Sequence, residues 1–303
     1  MKLNSSLLAA AAAFTAAPAF AQDAVETVGK PHSGLMGFQP AATELARDLQ
    51  GLDHLILIII SAITLFVIAL IAIVVVRYNR RANPTPASFT HNSPLEIAWT
   101  IIPIVILVFI GAFSLPVLFK QQEIPEGEVH IKVTGYQWYW GYEYTDHEFA
   151  FDSYMIGQPA TMTSEDDDAG AQAYVLSDAM KAKLKKAGYN EDEFLLATDT
   201  QVVIPVNKVI VMDVTGADVI HSWTIPAFGV KQDAVPGRIA QLWFKAEKEG
   251  IYFGQCSELC GKDHAYMPIT VKVVSEAEYA KWLEQAKEQY AGTPSTMKVA
   301  ALN

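Results

Sequence analysis

"VHIKVTGYQWYWGYEY", residues 129–144, is where this 303-residue chain changes its period. Val129, Ile131 and Val133 alternate with His130, Lys132 and Thr134, the pattern of a strand with one face in a core and the other in water. Tyr136, Trp138, Trp140, Tyr142 and Tyr144 continue on one parity, an aromatic strand face suited to filling that core. Further strand-like runs follow at 201–205, 207–214, 218–225, 237–245, 250–254 and 269–274, punctuated by Gly, Pro, Asn and Asp. About seven or eight short strands in ~180 residues predict a β-sandwich or barrel.

Two downstream segments depart from the strand pattern. Residues 155–200 are polar and partly helical in spacing, and read as an insertion on the sandwich, with the acidic run Glu165-Asp166-Asp167-Asp168 as a solvated loop. After the last strand, Ser275 and Glu278 form a capping box, and Tyr279, Trp282, Leu283, Ala286 and Tyr290 make one apolar stripe, which predicts a terminal helix.

Upstream of residue 129 the chain is of a different kind. Residues 55–76 have only Ser61 and Thr64 as polar interruptions, and residues 97–119 carry no charge. Each exceeds the ~20 residues needed to cross a hydrocarbon core, so a membrane hairpin is expected. Pro103 and Pro116 are tolerated in the second helix if neighbours satisfy the freed carbonyls. The connecting loop 77–96 holds Arg77, Arg80 and Arg81 with no acid before Glu96, which places it in the cytoplasm and both ends of the chain outside. The start reads as a secretory signal over residues 1–21, ending in Ala19-Phe20-Ala21. The expected order is therefore signal, outer segment 22–54, hairpin 55–119, exported domain 120–292 and tail 293–303. The outer space is a bacterial periplasm or an equivalent oxidising compartment.

Charge is divided unevenly. Residues 1–119 carry six Lys/Arg and six Asp/Glu, and residues 120–303 carry 16 against 27, so the formal charge of −11 belongs to the exported part. That sign argues against nucleic acid. It suits a basic protein partner, although solubility alone accounts for many acidic surfaces. A C-x-x-C-H haem attachment and a Gly-rich phosphate loop are both absent from the sequence, which disfavours covalent haem and nucleotide chemistry.

Both cysteines fall in "GQCSELCGKDHAYMP", residues 254–268. In an exported chain they are compatible with a disulfide, but Cys256 and Cys260 would close a loop too small to restrain the unfolded chain much. Alternatively they bind metal, because His264 and Met267 add imidazole and thioether to the same turn-rich segment. Thiolate, imidazole and a weak methionine together favour copper. Zinc in a closed Cys2His2 site stays open, although it leaves Met267 without a role. A mononuclear copper site needs one cysteine, so two suggest a pair of metals sharing both, with a second histidine from elsewhere. In "DVIHSWTIP", residues 218–226, His221 shares a strand face with Val219, Trp223 and Ile225; taken alone it reads as an ordinary buried histidine, and joined to the cysteine loop it becomes the candidate donor.

The hairpin, "QWYWGYEY", "DVIHSWTIP", "QDAVPGR" and the cysteine loop together resemble subunit II of the bacterial haem-copper cytochrome c oxidases, over most of residues 50–290. The resemblance implies a membrane-anchored all-β subunit, a two-helix hairpin followed by a cupredoxin-like Greek-key sandwich or barrel. It implies two copper ions in a copper A centre, bridged by Cys256 and Cys260, bound by His221 and His264, with Met267 on one ion and the backbone carbonyl of Glu258 on the other. The Glu258 side chain is implied to reach a magnesium ion shared with subunit I, and haem to lie only in the partner.

By the same resemblance Trp138 takes electrons from a c-type cytochrome docked against Glu143, Asp146, Glu148 and Asp218. Glu96 marks the mouth of a proton path, or is simply a helix-end carboxylate. The implied partners are subunit I, the other oxidase subunits and membrane lipid, in a complex that couples oxygen reduction to proton pumping. Three rivals are distinguishable. A quinol-oxidising relative lacks these copper donors, a soluble copper reductase has no use for the hairpin, and a scaffold stapled by one disulfide has no free thiols.

Overall fold

The structure, a computed structural model, describes residues 26–290, so the signal segment and the tail 293–303 lie outside the described residues. Two long helices come first, α1 (Glu44–Arg77) and α2 (Ser93–Gln122). Both are long and apolar enough to cross a membrane, and their apolar spans are not buried within the chain. The helix α1 begins well before the apolar run at residue 55, because Thr43 caps it: its Oγ1 accepts from Ala46 N at 3.0 Å and donates to the Phe228 carbonyl at 2.7 Å. Leu45 and Ala46 are buried against the globular domain, and Lys120 of α2 is ion-paired with both Glu44 and Asp48 of α1. Tertiary contacts thus extend the helix past the point where hydropathy ends.

The part after α2 is a β-sandwich, as expected. One sheet has the order β1-β10-β11-β5, formed by Thr27–Gly29, Gly250–Gln255, Pro268–Val274 and Val202–Pro205. The other has the order β4-β3-β2-β6-β9, formed by Phe149–Ser153, Tyr139–Tyr144, Val129–Tyr136, Ile210–Gly216 and Ala240–Phe244. A separate hairpin joins β7 (His221–Ile225) to β8 (Val230–Ala234). The parallel β2–β6 and β11–β5 pairings require the chain to cross between layers. The core between the sheets is rich in aromatics, and Tyr144 ties the layers by donating to the Val203 carbonyl at 2.8 Å and accepting from Val203 N at 3.0 Å.

Several expectations are corrected. Residues 129–274 hold ten strands rather than seven or eight: β4 ("FAFDS") and β8 ("VKQDA") lack clean alternation and exist through pairing with β3 and β7. The residues before α1 add β1 to the edge of the sandwich beside β10. The aromatic run is not one strand face. It turns at Gln137-Trp138, so Tyr136 ends β2 and pairs with Tyr139, while Trp140, Tyr142 and Tyr144 point into the core.

The acidic run at 165–168 is helical, not a loop. It forms α3 (Ser164–Asp168), because Thr163 and Asp166 make a reciprocal capping box. With α4 (Asp178–Lys186), the 155–200 segment builds a small core of its own, in which Ile156, Met180, Leu184 and Tyr189 close over Ile251 and Phe253 of β10. The terminal helix α5 (Glu276–Gln289) follows its predicted box and stripe, with Tyr279 and Ala286 buried.

Candidate metal centre

Three loops meet at one end of the sandwich: 217–220 before β7, the β2–β3 turn at 137–138, and 256–267 between β10 and β11. The third is strung between adjacent strands, and Cys256 N donates to the Met267 carbonyl at 3.0 Å across its neck. Ser257 N donates to the Ser222 carbonyl at 3.0 Å, which fixes the loop to β7. Close approach is needed here. A Cβ on Gly254 would lie 1.8 Å from the Thr224 carbonyl oxygen, and one on Gly135 would lie 2.7–2.9 Å from His221 side-chain atoms. Glycine at these two positions makes room for β7 and for the imidazole it carries.

His221, Cys256 and Cys260 are buried together with their donor atoms within 4.8 Å of one another. Cys256 Sγ is 3.9 Å from His221 Nδ1, and Cys260 Sγ is 3.5 Å from His264 Nδ1. The sulfurs are 3.9 Å apart and both thiols are free, well beyond the ~2.05 Å of a disulfide bond. The Glu258 carbonyl lies 3.3 Å from Cys256 Sγ, and Met267 is buried beside the loop. The structure therefore brings together His221, Cys256, Cys260, His264 and the Glu258 backbone in one place, with Met267 alongside. The Glu258 side chain faces solvent.

Electrostatics bias the two thiols in opposite directions. Burial opposes charge on both members of the Cys256–His221 pair. Their mutual hydrogen bond outweighs it, lowering the thiol and, with the help of Asp218, raising the imidazole. Cys260 is pushed up to about 12 by burial and by its neighbour's charge. Two thiolates this close are stable only with a cation between them, which is how a metal site couples to proton release.

Around this cluster the structure adds contacts that spacing did not reveal. Asp218 Oδ1 is 2.8 Å from His221 Nε2, and the same carboxylate accepts from Gln137 N at 2.8 Å. Gln137 Nε2 and Trp138 Nε1 both donate to the Cys260 carbonyl, at 2.8 and 3.2 Å. The D-x-x-H spacing is a signal that could have marked Asp218 as a histidine partner, but nothing in the sequence marks Gln137.

Trp138 is half-buried, with Lys262 Nζ 5.4 Å from its ring centroid. Of the four acids named with it, only Asp218 is adjacent. Asp146 and Glu148 lie in the turn at the opposite end of six-residue β3, ~20 Å away by strand rise. Glu143, on β3, is bonded to Lys132 at 3.3 Å. Glu96 lies in the first turn of α2 and accepts from Asn92 N at 3.3 Å, as a capping carboxylate does.

A family model described as the periplasmic domain of cytochrome c oxidase subunit II matches residues 129–169 and 163–274, and one described as its transmembrane domain matches residues 31–117. The chain belongs to the cytochrome c oxidase subunit II family. It is 64% identical over 281 residues to cytochrome c oxidase subunit 2 of Cereibacter sphaeroides, covering 93% of this chain and 88% of the relative. It is 40% identical over 267 residues to the probable subunit 2 of Rickettsia bellii, covering 88% and 89%. A crystal structure of the periplasmic domain of subunit II from Bradyrhizobium japonicum aligns with TM-score 0.42 and 45% identity, over 55% of this chain and 99% of that one. As a subunit II, this chain is a two-pass membrane-anchored component of cytochrome c oxidase, carrying a candidate metal site at His221, Cys256 and Cys260.

Proposed function

We propose that this chain is the electron-accepting subunit of its oxidase, holding two copper ions in a copper A centre on Cys256, Cys260, His221 and His264, with Met267 and the Glu258 carbonyl as outer donors. The observation that carries this reading is the pairing of free thiols 3.9 Å apart, each with its own imidazole Nδ1 at 3.9 or 3.5 Å. Two matched sulfur–nitrogen pairs with a buried thioether fit soft metal better than a closed zinc tetrahedron, in which Met267 has no part. Bound copper supplies a one-electron store that spreads charge over two ions.

The chain's own residues do the rest. β7 and the strand-anchored loop position the donors and bury His221, Cys256, Cys260 and Met267 away from bulk water. Trp138 presents a half-exposed ring to a docking partner while its indole N–H rests on the Cys260 carbonyl, so the protein surface and a donor residue are one hydrogen bond apart. Asp218 orients His221 and lends negative charge beside Trp138, which favours a basic c-type cytochrome as the donor. Glu143, Asp146 and Glu148 form a more distant acidic rim to the same docking face. Electrons pass to haem groups in subunit I, where oxygen reduction and proton pumping take place.

The remaining assignments extend this scheme. The exposed Glu258 side chain serves a magnesium ion shared with subunit I, and Glu96 opens a proton path from the cytoplasmic side, where the arginine-rich loop places it. The sandwich and the N-terminus then lie in the periplasm. The full chain, purified in detergent and loaded with copper, tests the site. Two coppers per chain sharing one unpaired electron in spin resonance are expected; one zinc per chain with copper excluded, or a Cys256–Cys260 disulfide in active oxidase, rejects it.

A further inference from the structure

We propose that the 155–200 segment is a brace for the donor loop, with Tyr174 as the positioning residue that holds the turn bearing His264 and Met267. The inference rests on the copper reading of that loop and assigns a role to a segment which that reading leaves unused.

The segment touches β10, β11, the β2–β3 turn and the donor turn. Its small core closes over Ile251 and Phe253 of β10, the strand that leads into Cys256. Its Leu196 carbonyl accepts from Thr270 of β11, the strand that leads out of Met267, at 3.3 Å. Gln158 Nε2 donates to the Trp138 carbonyl at 3.3 Å. Tyr174 then reaches the donor turn itself, with its ring against that of Tyr266 at 4.3 Å between centroids and 31° between planes. Burial and the nearby Asp263 carboxylate raise the Tyr174 hydroxyl above the ordinary tyrosine range, and Asp263 is the residue before His264. Tyr266 lies two residues after His264 and immediately before Met267, so this one ring packs on the turn that joins the two donors.

The backbone supports the same reading. Tyr174 has φ +63°, a left-handed conformation that an L side chain adopts at a cost and keeps only when surrounding contacts hold it. Here Tyr174 N donates to the Gly157 carbonyl at 2.8 Å, at the neck of the segment, where Met155 pairs with Thr198. The side chain directed at the donor turn is thus anchored where the segment leaves and rejoins the sandwich. Besides that ring, the short helical turn His264–Tyr266 is held by Tyr266 N to the Asp263 carbonyl at 2.9 Å, His264 N to the Gly261 carbonyl at 3.3 Å and the His264 Nδ1–Cys260 Sγ contact at 3.5 Å.

The test uses the full chain in detergent, loaded with copper and challenged with a copper chelator. Losing one aromatic stack should speed copper release by ~3- to 10-fold in Tyr174→Ala and alter the copper hyperfine pattern, while Tyr174→Phe, which keeps the ring, stays near the parent. Leu176→Ala, at an exposed neighbour in the same segment, should match the parent and so controls for general loosening. Parental release from Tyr174→Ala, or equal acceleration in Leu176→Ala, overturns the brace. If the parent itself takes up no copper, the copper reading falls, and the brace with it.

Discussion

Asp218 Oδ1 and His221 Nε2 stand 2.8 Å apart, which leaves Nδ1 as the ring nitrogen turned toward Cys256. The carboxylate therefore selects the tautomer and the orientation of a buried imidazole that has no freedom to find either alone. A carboxylate on the far nitrogen also makes the near one a better donor.

Removing that partner should weaken the site without unmaking the fold. Asp218→Ala is expected to lower copper affinity by ~10- to 100-fold. Asp218→Asn, which still accepts a hydrogen bond, should recover much of the loss. Competition against a chelator of known affinity measures both, and a parental affinity in Asp218→Ala would show that the sandwich alone aims His221.

Room for the same ring comes from a glycine. Gly135→Ala places a methyl 2.7–2.9 Å from His221 side-chain atoms, and a buried clash of this kind costs about 2 kcal/mol. Either β2 or the imidazole must move, so the variant should unfold at lower denaturant and hold less than its full copper complement. Normal stoichiometry with unchanged stability would mean that the strand shifts freely.

Trp138→Phe separates docking from metal binding. It removes one hydrogen bond to the Cys260 carbonyl, worth about 1 kcal/mol, while Gln137 keeps its own bond to that oxygen. The copper spectrum should be almost unchanged and the oxidation of reduced cytochrome c markedly slowed. Rapid mixing at low ionic strength decides it. A companion series orders the acids: Asp218→Asn should raise KM for cytochrome more than Asp146→Asn or Glu148→Gln, because charges ~20 Å from the Trp138 ring lie beyond the ~10 Å screening length.

Acid should loosen the 155–200 segment before the sandwich. The Lys183 hydrogen bond holds the Asp166 carboxyl down at about 2, below the ordinary aspartate range. A depressed carboxylate contributes stability that is full above the unfolded pKa, ~3.9, and is lost as the pH falls through the folded value. Amide exchange in α3 and α4 should therefore quicken between pH ~4 and ~2, and Lys183→Met should exchange faster already at neutral pH and show a flatter dependence over that range. Equal acid sensitivity of the two proteins would exclude the pair as its source.

How much of this was legible in the residues varies with the range of the interactions involved. The membrane hairpin, the capped terminal helix and the donors in the 254–268 loop follow from local facts: hydropathy over a bilayer's thickness, a box closed within four residues, and soft ligands in one turn. The start of α1 at Glu44, the strands β4 and β8, and the helix at the acidic run do not follow from the pattern: the first is made by contacts with the distant Phe228 turn, and the two strands by pairing with their neighbours β3 and β7. The acidic-run helix carried its own local signal at Thr163 and Asp166.

For the site, the sequence alone determined which atoms are available to bind metal, since two thiols, two imidazoles and a thioether are chemistry whatever the fold. Only the tertiary structure decided that His221 meets Cys256 across 35 residues, that the thiols stay unjoined, and that Gln137, Asp218 and Tyr174 surround them. The reason is physical. A donor's identity is covalent and local, whereas its distance and orientation are set by which strands pack together, and that is fixed by burial summed over the whole sandwich.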